Sequence, residues 1–241
     1  MEYVSEPLPS RRRKMVDNQK NPLANKPKIT WCVSARKAIV AFLNSNCTNE
    51  SLLDEEIERI QEKIENLDEK NPKKMESKIK KLEVEIEAIN SFKGIQKEME
   101  LNGLRFSKAP KSKYLNYSGV HVSVRPEVAL STEKSWEYVG CLKLYFKKTK
   151  RLNEDSANFL CSVLNHYTEK HLSPSHAANP KACIAVDVFG HRAFTAFKNI
   201  PLYTGKIRQS CQEINETWKT IPSRKEIKGD DDNQSEMNFP E

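Results

Sequence analysis

The sequence predicts an α+β protein: a small mixed sheet flanked by helices and preceded by an antiparallel helical hairpin. Three observations carry this. Apolar residues recur at helical spacing before Gly103 and with a period of two beyond it. Pro72 separates two stretches that share one apolar seam, and proline cannot continue a helix interior. Residues 48–93 contain no glycine, whereas Gly103, Gly119, Gly140 and Gly190 fall within or beside the strand region, where tight turns are needed.

Residues 1–28 hold Pro7, Pro9, Pro22 and Pro27 among polar groups, with the run Arg11-Arg12-Arg13-Lys14, which reads as a disordered basic arm. Residues 29–102 read as a helical segment. Ser34 is placed to cap a helix carrying Ala35, Ala38, Ile39, Phe42 and Leu43, which ends near Asn44-Ser45-Asn46. Thr48 or Ser51 caps the next helix, whose Ile57, Ile60, Ile64 and Leu67 form a coiled-coil-like seam. Beyond Pro72 the seam is repeated by Ile79, Leu82, Ile86 and Ile89. Two such helices joined by a short turn form an antiparallel hairpin. Its seam packs onto the body of the protein or, over residues 50–101, serves as an arm for a second copy or a protein partner.

Residues 103–222 read as the α+β core. Val120, Val122 and Val124 alternate with polar residues up to Pro126, as in a strand with one apolar face. In a second strand Tyr138, Leu142, Leu144 and Phe146 share one face, and Glu137, Val139, Cys141, Lys143 and Tyr145 the other. Asn153 or Asp155 caps a helix running through Tyr167. Strands follow at 182–189 and 193–197, turned by Gly190-His191, and a last helix stops before Pro222. Residues 223–241, with Asp230-Asp231-Asp232, read as a disordered acidic tail.

Composition excludes several classes. No two of the seven glycines are closer than nine residues, so neither a Walker loop nor a Rossmann fingerprint is present. No segment reaches the roughly 18 apolar residues of a membrane span. The N-terminus lacks the apolar stretch of a secretory signal, so a cytoplasmic location is expected. The six cysteines contain no Cys-x-x-Cys pair, which argues against a zinc finger and for reduced, buried thiols. The net charge of +7 is uneven: residues 103–151 carry 11 basic and 3 acidic groups, interleaved with Tyr114, Tyr117, Trp136, Tyr138 and Tyr145. Such a block suits either a phosphate-binding surface with stacking groups or a lysine-decorated sheet edge. Arg125, Lys147, Lys148, Lys150 and Arg151 are its candidate contacts to DNA or RNA.

Two residues break their local pattern. Asp187 lies within an apolar strand and Lys143 between Leu142 and Leu144. Either would be costly to bury without a partner, which suggests a structural ion pair or a charged site on rigid strands. His166, His171 and His176 recur every five residues and do not converge on one helix face.

The order strand–strand–helix–strand, with Pro126-Glu127 followed by Cys141-Leu142-Lys143, resembles a degenerate form of the restriction-endonuclease-like PD-(D/E)xK family. In that family an acid after the second core strand and another two residues before a lysine bind a divalent metal, and the lysine orients or activates water. The resemblance implies catalytic roles for Glu127, Lys143 and Asp187, with Mg²⁺ held by Glu127, Asp187 and Glu137. It departs from the family at Cys141, which stands where the second acid is expected. The run Gly119–Pro126 is also similar to a bacterial family to which we attach no activity. The expectation is therefore a nucleic-acid-interacting protein with a nuclease-like core, a Mg²⁺-dependent phosphodiesterase if catalytic. The alternative is a non-catalytic interaction protein acting through its hairpin.

Overall fold

The computed structural model describes residues 2–20, 32–99, 101, 103–110, 113–133, 137–196 and 199–223. The expected acidic tail beyond Ser223 lies outside them, as do Trp136 and Phe197. The chain divides into two compact units, one from residues 29–115 and 123–204, the other from 1–28, 116–122 and 205–241.

In the smaller unit, α1 (Glu2–Ser5) and α2 (Pro9–Lys20) fall within residues 1–28, expected as a disordered arm, of which 21–28 lie outside the described residues. Pro9 starts α2 at a position where its missing N–H costs nothing. Val16 is buried, Arg12 Nη1 lies 2.8 Å from the Glu213 carboxylate, and Lys20 Nζ donates to the carbonyls of Trp218 (2.9 Å) and Ile221 (2.6 Å). The helix is thus held by charged contacts to a distant part of the chain, which local composition does not reveal.

The larger unit begins with α3 (Val33–Asn44), α4 (Ser51–Glu65) and α5 (Pro72–Gln96). Their ends differ from expectation in two places. Cys32, not Ser34, occupies the capping position of α3, in the left-handed conformation (φ 56°), and Glu85 on α5 accepts the Ala35 N–H at 2.7 Å. Glu50 precedes α4, while Ser51 Oγ lies 2.8 Å from Asn49 Oδ1 and 2.9 Å from Glu55 Oε1, and Thr48 Oγ1 donates to the Ser45 carbonyl (2.6 Å). Asn71 caps α5, accepting the Lys74 N–H at 3.2 Å with Pro72 as first helical residue. Asn71→Ala should cost about 1 kcal/mol, measured as a lower urea midpoint at unchanged slope.

The hairpin is present, and α3 covers its seam. Leu53, Ile60, Ala88, Ile89, Phe92 and Ile95 are buried together with Ile39, Phe42 and Leu43. Phe42 meets Phe92 edge to face, with ring centroids 6.1 Å apart. Ile57, Ile64, Leu82 and Ile86 are partly buried against the same cluster. Much of the seam that could serve a partner is therefore consumed inside this unit.

The strands are β1 (Leu104–Lys108), β2 (Lys113–Tyr117), β3 (Val120–Val124), β4 (Val128–Thr132) and β5 (Tyr138–Tyr145), followed after α6 (Glu154–Tyr167) by β6 (Cys183–Asp187) and β7 (Arg192–Thr195). The chain then enters α7 (Ile200–Thr220). The main sheet has the order β1-β4-β5-β6-β7, and β2 pairs with β3 alone. Its strands are antiparallel except for β5 and β6, which α6 connects in parallel. Phe106, Val128, Leu130, Leu142, Leu144, Ile184 and Val186 join the helical core of α3–α5. On the other face α6 packs, with Cys141 Sγ 3.7 Å from the Leu164 carbonyl and Cys161 Sγ 3.5 Å from that of Phe194. The six cysteines are free, and all but Cys47 are buried. Among the described residues no helix is long and apolar enough to cross a membrane.

Candidate functional site

Glu127 and Lys143 meet, and strand register explains why. Val128 pairs with Leu142 across β4 and β5, so continuing the antiparallel register sets Glu127 opposite Lys143. Lys143 Nζ donates to Glu127 Oε1 at 2.8 Å and to the Arg125 carbonyl at 2.7 Å. The Leu144 N–H donates to Glu127 Oε2, also at 2.8 Å. Arg36 on α3 brings its Nε to 3.8 Å from Oε1 and sets its guanidinium 5.1 Å from the centre of the Phe146 ring. The nearly buried carboxylate is thus surrounded by two cations and a backbone donor.

Asp187 does not join this group. It is 1% exposed, and its two oxygens accept the N–H groups of Leu152 (2.7 Å) and Gly190 (3.0 Å). Glu137 is half-exposed and lies 3.3 Å from His176 Nε2. Cys141 is a buried thiol within 3.5 Å of the Thr168 hydroxyl, and burial pushes its pKa well up, so it offers no anionic donor. Among the described residues no group of three or more His, Cys, Asp and Glu side chains could hold a metal ion. The expected Mg²⁺ ligands Glu127, Asp187 and Glu137 therefore do not fit a divalent cation. The first is neutralised by cations, the second is satisfied by backbone donors, and the third is paired elsewhere.

Four of the five candidate nucleic-acid contacts cluster just beyond β5. The turn there is held by Tyr145, whose hydroxyl donates to the Lys150 carbonyl at 2.8 Å and whose own carbonyl accepts the Val188 N–H at 3.0 Å. Lys147, Lys148 and Lys150 form one wall of a groove of about 910 Å³. Lys73, Lys80 and Lys81 of α5 form the other, and Cys32, Val84, Phe146 and Phe189 provide apolar lining. Arg151 sits 5.8 Å from the centre of the Phe189 ring, while Arg125 is not among the lining residues. Glu76, paired with Lys80 at 2.6 Å, is the acidic group in that lining. Lys148 also reaches Glu87 on α5. Burial, and then the nearby charge of Lys150, push the Lys147 ammonium down from its ordinary pKa.

The tyrosines of the basic block are not the groove's aromatic groups. Tyr117 is buried, Tyr114 is exposed with its carbonyl 3.1 Å from His171, and Tyr145 braces the turn. The α5 lysines escaped the sequence reading because residues 48–102 are net acidic. Their signal is positional: residues 73, 77, 80, 81 and 84 fall on one helix face.

No family model, curated protein or solved structure matches the chain.

Proposed function

We propose that this protein binds nucleic acid in the lysine-walled groove between α5 and the turn after β5, above a degenerate nuclease-like core that does not cleave. The carrying observation is the convergence of six lysines against one glutamate in a groove whose lining also includes Cys32, Val84, Phe146 and Phe189. Clustered cations of this kind attract a chain of phosphates and release its counterions. The nuclease-like part is supported by the strand–helix–strand order β4-β5-α6-β6 and by the contact of Glu127 with Lys143. The absence of cleavage is supported by the donor chemistry: a neutral Cys141 and a Glu127 already held by cations are poor ligands for a metal that would activate water.

The test is fluorescence anisotropy with labelled DNA and RNA oligonucleotides across a salt series. Joint replacement Lys147→Glu and Lys150→Glu should weaken binding roughly 10- to 100-fold and flatten the dependence on salt. Polyglutamate should fail to compete. Equal competition by polyglutamate, or an unchanged affinity in the double variant, would refute the reading. Mg²⁺ should act only as a screening salt, and cleavage that requires Mg²⁺ and Lys143 would refute its non-catalytic part.

A further inference from the structure

We infer that the groove takes single-stranded nucleic acid in preference to a duplex. This deepens the proposed function and rests on it. A duplex stacks its bases inside and presents phosphates outward, so a surface built for it needs cations and no apolar floor. A single strand exposes base surfaces that gain from leaving water, and grooves that hold it combine cationic walls with apolar or aromatic groups between them. This groove has that layout. Lysines on α5 and on the turn after β5 stand on either side, and Val84, Phe146 and Phe189 contribute to the lining between them.

Size points the same way. The volume of about 910 Å³ falls among pockets that enclose small ligands, roughly 300–1,000 Å³. It has room for a short stretch of one strand with its bases turned in. Lys73 and Lys80 are separated by about 10 Å along the helix axis, so the α5 wall can follow successive phosphates rather than a single one. Cations already cover the aromatic faces: Arg36 over Phe146, and Lys148 and Arg151 over Phe189. Bases would therefore meet ring edges and the aliphatic stems of these side chains, a contact that does not distinguish one base from another.

The experiment compares an oligothymidylate with a mixed-sequence duplex of equal length, titrated with the full chain at one salt concentration. The single strand should bind at least tenfold more tightly. Ser77→Trp, at an exposed α5 position in the groove wall, narrows the groove without altering charge or a core residue. It should remove most of that preference while thermal unfolding stays unchanged. A duplex bound as tightly as the single strand, or a Ser77→Trp variant that keeps the preference, overturns the inference and leaves nucleic-acid binding standing. Failure of both nucleic acids to bind overturns the proposed function itself.

Discussion

Gly140→Val should prevent β5 and β6 from pairing, leaving a chain that does not unfold cooperatively. A Cβ at this position would lie 2.1 Å from the Ala182 carbonyl oxygen, 2.4 Å from its carbonyl carbon and 2.6 Å from its Cβ. These are mostly backbone atoms of the 3-10 turn Pro180–Ala182 that delivers the chain into β6, so no side-chain rotation relieves the clash. The Asn179 N–H donates to the Val139 carbonyl at 2.7 Å, pinning that turn against β5. Even Gly140→Ala must push the turn away and should cost about 3 kcal/mol or more, at the upper end of overpacking effects. Gly94→Ala supplies the contrast. Nothing lies within 4 Å of a Cβ built there, and the residue sits within α5. That change should stabilise the protein by roughly 0.5–1 kcal/mol through helix propensity. Urea unfolding of the three variants measures both effects, and a Gly140→Ala protein as stable as its parent would contradict the close approach of turn and strand.

The fold class was legible because its signals are local. Pro72, the repeating isoleucines of the hairpin and Asn153 ahead of α6 each act within a few residues, and each is found where expected. β4 was not legible, because Val-Ala-Leu-Ser-Thr lies in mid-sheet and is buried on both faces, so it lacks the alternation that marks a half-exposed strand. Capping of α3 was misread for another reason: its partner, Glu85, is 50 positions away. The same distinction runs through the site. Glu127 and Lys143 were brought together only by the family resemblance, because the register that sets them opposite each other belongs to β4. The lysine wall of α5 could not be matched to Lys147–Lys150, since that pairing depends on how the hairpin returns over the sheet. Asp187 was correctly recognised as a residue needing a partner, but its partners are backbone N–H groups, which no residue pattern displays.

Asp187→Ala should destabilise the protein by about 2–4 kcal/mol, the sum for two donors that lose their acceptor. The Leu152 N–H is buried and would be left without a partner, while the Gly190 N–H is part-buried and regains water more readily. Asp187→Asn is the more informative change. Its single carbonyl oxygen can satisfy one donor, but its amide group then faces the other N–H, so a loss of about 1–3 kcal/mol should remain. Gly190 is bound to the same arrangement, since a Cβ there would come within 2.5 Å of Asp187 Oδ2. Gly190→Ala should therefore lower stability by displacing the carboxylate that Leu152 needs. This separates a structural aspartate from a metal ligand. If Asp187 held Mg²⁺, millimolar Mg²⁺ would raise the melting temperature of the parent protein and not that of Asp187→Asn, because stabilisation follows ligand bound to the native state. The hydrogen bonds require the opposite: a lower melting temperature in Asp187→Asn with or without Mg²⁺, and the same response of both proteins to the added salt. The Asp187 oxygens that the family resemblance would give to a metal instead hold the entry to α6 and the turn from β6 to β7.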